Sequence, residues 1–215
     1  RGLGELVCYP NRDSLAYMPL YGLSEATTFL RTTLRHPAFC KAWQAIVRAG
    51  LTDETEAIDP AGLTFKKWSR SIQPFLTPEN EAQLASLGLL EDTAVPPVFT
   101  SSAGILQHLL ETRLAMQPND RDMVIMQHEL EYRIKDKAYA GISTLLVKGE
   151  DSRHTAMAKT VGLPLGIAAR LILKEKIPLS GLHIPVLPEI YHPVLEELAL
   201  EGIVFNEEDK GFATA

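Results

Sequence analysis

Apolar positions along this chain change their spacing partway through. Between residues 37 and 49, Phe39, Trp43, Ile46 and Val47 recur at helical intervals, Pro37 suits a first turn and Gly50 a stop, so the pattern predicts a helix. Over 103–116, Ile105, Leu106, Leu109, Leu110 and Leu114 share one helical face. Shorter helices are expected around 64–72 and over 78–87, the latter ending at Gly88. The helices that follow Gly50 make a helical subdomain of about residues 50–120. The spacing then becomes extended. Runs 122–134 and 139–148, joined by Lys135-Asp136-Lys137, read as a hairpin that lacks the favoured Asn-Gly pair. Their alternation suits a sheet with one face on the core and one wet, with His128, Glu129, Glu131 and Arg133 on the wet face or lining a cleft.

Two further strands are expected near the start. Residues 3–9 form an apolar run closed by Pro10-Asn11, and 27–35 are β-branched and alternating, with a short irregular or helical piece over 15–21 between them. After Gly149 the chain turns helical, from about His154 to Leu173, with Asp151 or Ser152 as the cap. Pro164 removes a backbone donor, so a kink or break is expected near Gly162. A last helix from Pro188 or Glu189 to Leu200, ended by Gly202, precedes a closing strand over 203–205. The expected fold is α/β of the α+β kind. It is a mixed, largely antiparallel sheet with helices on one face and the helical subdomain as cover, with no Rossmann domain in the chain.

Composition narrows the partners. With 46% apolar residues the chain can bury a core, and a formal net charge of −6 without a dense Lys/Arg face argues against nucleic acid. Apolar stretches interrupted by polar residues fall short of a membrane span, so no membrane is expected. Cys8 and Cys40 form neither a metal spacing nor a disulfide framework, which suits a reducing compartment and a cytoplasmic location. Arg1 in place of Met, followed at once by strand pattern, reads as part of something longer.

Chemistry is sparse. A dinucleotide site needs glycines at a strand-to-helix turn, where backbone amides meet the pyrophosphate. Gly2-Leu3-Gly4 precedes a strand, and Gly162 and Gly166 lie within a helix pattern, so no cofactor is expected in this chain. The spacing of His128, Glu129, Glu131 and His154 matches no zinc pattern, and no metal is expected. The arginines are more suggestive. Arg12 follows the first strand, and Arg31 and Arg35, four apart on a strand, share a side with Thr33. Guanidinium groups grip carboxylates through paired hydrogen bonds, although surface ion pairing is the commoner use of such residues. Ala156, Ala158, Gly162 and Gly166 suit close helix packing, with Lys159 reaching a carboxylate or extending off the apolar helix.

Five stretches together resemble the glutamate-forming saccharopine dehydrogenases. They are Tyr9-Pro10-Asn11-Arg12-Asp13-Ser14 with Tyr17 and Tyr21-Gly22-Leu23; Leu30-Arg31-Thr32-Thr33-Leu34-Arg35-His36 with Phe39; Asp122-Met123-Val124-Ile125-Met126-Gln127-His128-Glu129; Thr155-Ala156-Met157-Ala158-Lys159-Thr160-Val161-Gly162-Leu163-Pro164; and Pro188-Glu189-Ile190-Tyr191-His192-Pro193-Val194-Leu195-Glu196-Glu197-Leu198 before Glu201-Gly202-Ile203. They keep the family's order over nearly the whole chain.

The resemblance implies that residues 1–215 are the C-terminal, substrate-binding and dimerising domain of such an enzyme. The family oxidises saccharopine with NAD or NADP and water to glutamate and aminoadipate semialdehyde, in lysine metabolism. The cofactor would be held mainly by an N-terminal Rossmann domain outside this chain. A homodimer is implied, and a mitochondrial matrix location if the parent is a eukaryotic bifunctional enzyme. Asn11, Arg12, Asp13, Arg31, Thr33 and Arg35 become candidate contacts to a ligand with three carboxylates; the catalytic residue is not identified. Three positions depart from the family: Thr32 stands where it has glycine, His36 where it has an aromatic residue and Gln127 where arginine is common. These departures keep open a second reading, a binding or assembly module that retains the fold without turnover.

Overall fold

The computed structural model describes residues 4–212, so Leu3 of the first expected strand, and Gly2 before it, lie outside the described residues. The chain divides into two compact units, Arg1–Ala115 and Met116–Ala215.

In the first unit a two-stranded antiparallel ribbon joins β1 (Val7–Pro10) to β2 (Thr32–Arg35), in the register Val7↔Arg35 to Pro10↔Thr32. A single 3₁₀ turn, Leu15–Tyr17, follows β1. The second strand is shorter than its composition suggested. Residues 27–31 are β-branched and alternating, yet β1 reaches only to Thr32, and unpaired backbone gains nothing from strand propensity. Helices α1 (Pro37–Arg48), α2 (Phe65–Trp68), α3 (Glu81–Ser86) and α4 (Ser102–Arg113) follow, with a 3₁₀ segment, Ser69–Phe75, after α2. Their apolar faces meet in one core where Ile46, Ile72, Leu84, Leu89 and Ile105 are fully buried. Two polar side chains buried with them are paired. Trp68 Nε1 donates to Ser102 Oγ at 3.0 Å, and the Ser69 hydroxyl donates to the Leu89 carbonyl at 2.6 Å. Thr64 and Ser101 cap α2 and α4, each accepting from the backbone N–H three residues on.

The second unit is a three-stranded antiparallel sheet in the order β3–β4–β5, with β3 (Met123–Ile134), β4 (Lys137–Lys148) and β5 (Asn206–Phe212). The hairpin turns on Lys135 and Asp136, whose φ values of 46° and 65° are the left-handed pair that a two-residue loop requires. Asn-Gly is the commoner solution, and here two non-glycine residues accept the conformation. Helices α5 (Ala156–Leu173) and α6 (Pro188–Leu200) cover one face, where Leu145, Ile167, Leu171, Val194 and Leu198 form the second core. All strand pairings among the described residues are antiparallel, and they form two separate sheets instead of one mixed sheet.

Three features differ from the sequence pattern. Residues 203–205 are not the closing strand: Ile203 is buried in the second core, and pairing with β4 begins at Asn206. Helix α5 is unbroken through Pro164, since the lost hydrogen bond is one of many in an 18-residue helix. With only Lys159 and Arg170 charged, α5 has a mean hydropathy of 1.4 and meets the length and composition of a membrane span, contrary to expectation. Here its Ala156, Ile167 and Leu171 are buried, and Arg170 is ion-paired with Glu197 of α6.

Candidate functional site

The β1–β2 ribbon gathers most of the carboxylate-binding candidates. Beyond the last paired residues, Asn11 N–H donates to the Arg31 carbonyl at 2.8 Å, which holds the turn after β1 beside the residue preceding β2. Within that turn Asn11 Oδ1 accepts from Arg12 N–H at 2.8 Å, and Asp13 Oδ1 accepts from Leu15 N–H at 3.0 Å. Asn11 and Asp13 therefore shape the loop from which Arg12 projects. The Asp13 carboxylate is used on backbone, not on Arg12. Thr33 sits opposite Tyr9, half-buried, while Arg12, Arg31 and Arg35 are exposed.

Arg35 stands apart from the other two. It pairs in register with Val7 at the far end of the ribbon, its Nη1 donates to the Leu34 carbonyl at 2.8 Å, and its guanidinium lies 5.7 Å from the Phe39 ring centroid. Arg31 precedes β2 and Arg35 ends it, roughly 13 Å apart along an extended chain at about 3.3 Å per residue. Arg12 and Arg31 are thus drawn to one end of the ribbon, and Arg35 is held elsewhere; further along the chain the Tyr17 and Tyr21 rings stack on each other, 5.7 Å between centroids.

In the second unit the hairpin residues do not gather as one set. His128 lies on the helix-covered face with its ring 5.7 Å from Phe205, whereas Glu129, Glu131 and Arg133 alternate onto the other face. Among the described residues no three His, Cys, Asp or Glu side chains assemble as a metal site.

A polar assembly at the start of α5 was not legible in the sequence. Asp122, just before β3, accepts from the backbone N–H groups of Ala156 (2.5 Å) and Met157 (2.9 Å), so it caps a helix that begins 34 residues later. The N-cap itself is Thr155, whose hydroxyl accepts from Ala158 N–H, in place of the expected Asp151 or Ser152. Asp151 closes the preceding turn instead. It accepts from the backbone N–H of His154 (2.7 Å) and Arg153 (2.8 Å) and lies 3.1 Å from the His154 ring nitrogen. Those donors, the His154 backbone foremost, hold the Asp151 carboxyl well below the usual carboxylate range. Lys159 pairs with Glu150 and lowers that carboxyl too.

These depressed values fix the sign of a pH effect. The folded state binds fewer protons than the unfolded chain, so the contribution is complete above the ordinary carboxylate value and is lost as pH falls below it. Exchange protection of the Arg153 and His154 amides is expected to be full at about pH 5, to start falling only below about pH 4 in the wild type, and to be absent throughout in Asp151→Ala. Equal protection in the two proteins at pH 5 would remove Asp151 from this role.

Comparison with known proteins places this geometry. The family model of the saccharopine dehydrogenase C-terminal domain matches residues 2–203. Alpha-aminoadipic semialdehyde synthase, mitochondrial, of Mus musculus is 36% identical over 225 residues, covering 92% of this chain and 24% of that protein. Saccharopine dehydrogenase [NADP(+), L-glutamate-forming] of Schizosaccharomyces pombe is 32% identical over 229 residues, covering 94% of this chain and 51% of that protein. In structure, apo histidine-tagged saccharopine dehydrogenase (L-Glu forming) from Saccharomyces cerevisiae superposes with a TM-score of 0.84 at 30% identity, over 95% of this chain and 51% of the other. The chain belongs to the saccharopine dehydrogenase C-terminal domain family. It spans about half the length of the fungal relatives and about a quarter of the mammalian one.

Proposed function

We propose that this chain is the substrate-binding and dimerising portion of a saccharopine dehydrogenase-like oxidoreductase, and that all 215 residues serve that one role with the helical stretch as cover. The observation that supports this reading most is the extent of the match: nearly the whole chain aligns, in sequence and in backbone, with only about half of a glutamate-forming saccharopine dehydrogenase. The parent reaction would oxidise saccharopine at its C–N bond with NAD or NADP, and water would release glutamate and aminoadipate semialdehyde, a step of lysine metabolism. Hydride transfer needs the cofactor, so the chain is inactive alone until joined to its nucleotide-binding partner domain. Location follows the parent: cytoplasmic, or the mitochondrial matrix for a bifunctional parent.

Arg12 and Arg31, brought to one end of the ribbon, are the proposed carboxylate contacts. Asn11 and Asp13 hold the loop, and Thr33 positions the strand. Arg35 is a weaker candidate because its guanidinium already lies against Leu34 and Phe39. Calorimetric titration with saccharopine tests the assignment. Binding is expected to weaken roughly tenfold or more in Arg12→Ala and in Arg31→Ala, and less in Arg35→Ala. Heat that neither Arg12→Ala nor Arg31→Ala alters would overturn it.

A second reading is an assembly module without turnover. It draws on Thr32, His36 and Gln127, which depart from the family pattern, and on the open placement of the arginines. Joining the chain to a nucleotide-binding domain from a fungal relative separates the readings: NADP-dependent turnover of saccharopine supports the first and its absence the second.

A further inference from the structure

Strand β3 is an outer strand, and it is long. Twelve consecutive pairs join it to β4 without a bulge, whereas β4 and β5 shift register between Tyr139 and Gly141. From Met126 to Ile134 every β3 residue is exposed. Straight, unprotected edges of this kind are templates for another strand. The hairpin geometry fixes which backbone groups face outward. Ile134 and Lys137 close the two-residue turn and exchange hydrogen bonds, as do alternate residues back along β3. The N–H and C=O groups of Gln127, Glu129, Glu131 and Arg133 therefore point away from β4. An antiparallel partner must pair these odd positions with odd positions of its own.

We infer that β3 pairs with β3 of a second copy about a twofold axis at Tyr132; this rests on the homodimer reading above. That register sets Glu131 opposite Arg133 and Arg133 opposite Glu131, and each pair is repeated by the symmetry. Leu130, 54% exposed, then faces Ile134, 52% exposed, and Tyr132 meets its own copy. The neighbouring registers conflict. An axis at Glu131 or at Arg133 sets that residue against itself, and an axis at Leu130 sets Glu129 against Glu131 twice. The Tyr132 axis joins opposite charges and covers Leu130, Tyr132 and Ile134 without setting any like-charged pair opposite on β3, whereas the Glu131 axis gains Glu129–Arg133 pairs at the cost of opposing Glu131 to itself.

The test is charge reversal, read by sedimentation of the full chain with circular dichroism as the folding control. Glu131→Arg and Arg133→Glu each create two like-charge pairs and should weaken self-association about tenfold or more. The double variant E131R/R133E restores both pairs and should restore the dimer, which a merely misfolded variant would not do. A Tyr132→Cys variant should cross-link to its copy on oxidation, beyond any wild-type background from Cys8, and Gln127→Cys should not. A dimer indifferent to both single reversals would overturn the β3 interface and leave the homodimer reading standing. A chain that stays monomeric at all concentrations would overturn both.

Discussion

Gly149→Ala is expected to destabilise the second unit by about 2–4 kcal/mol, the combined effect of losing a doubly bonded cap and crowding backbone. A methyl group at this position would stand 2.2 Å from Asp122 Oδ1, 3.0 Å from Ala156 N and 3.2 Å from the Thr155 Cα. Only the carboxylate can move, and moving it releases the two N–H groups it holds at the start of α5. Gly149 N–H also donates to the Asp122 carbonyl at 2.9 Å, so the loop cannot simply retreat. Asp122→Ala should cost about 1–2 kcal/mol by itself. Combined with it, Gly149→Ala should cost less than in the wild type, because the carboxylate it displaces is gone. Trp43 and Trp68 both belong to the first unit, so the readout is hydrogen exchange at Ala156 and Met157, with urea unfolding followed by circular dichroism. Additive effects of the two substitutions would show that Gly149 and Asp122 act independently.

Ile105→Ala should cost about 2–5 kcal/mol and shift the tryptophan fluorescence transition, since Trp68 shares its core. Ile105 is fully buried on α4, and its truncation leaves a cavity among side chains that cannot all follow it. Leu182→Ala removes a similar volume from a residue that is 100% exposed, and is expected to change stability by less than about 0.5 kcal/mol. Similar losses from the two substitutions would mean that the buried cluster is not what holds the first unit together.

What the sequence displayed was local order. Phe39, Trp43, Ile46 and Val47, set between Pro37 and Gly50, announced α1, and the 105–110 apolar face announced α4, because a helix carries its period within itself. The hairpin was legible because its partners are neighbours in sequence. Residues 27–31 misled for the opposite reason: strand composition is visible locally, but the extent of pairing belongs to β1. Asp122 is the clearest case of what could not be read. Nothing around it in sequence marks a cap, since the amides it serves are 34 residues away. The same limit applies to the arginines. Their residue type suggested carboxylates, yet the separation of Arg35 from Arg12 and Arg31 depends on β1–β2 register and on Phe39.

Strand β4 has one neighbour that follows from a two-residue turn and another that arrives only after α5 and α6. The first ladder closes a loop of minimal length, on the microsecond scale of hairpins, while the second must await the ordering of two helices and the chain between them. Assembly of this sheet is therefore sequential in entropy even though its strands lie side by side. The β3–β4 arm can form while the other side of β4 is still bare, and β5 is the late-docking strand whose departure would begin local unfolding. In the interval β4 is itself an open edge, and the docking of β5 covers it and leaves β5 as the edge on that side.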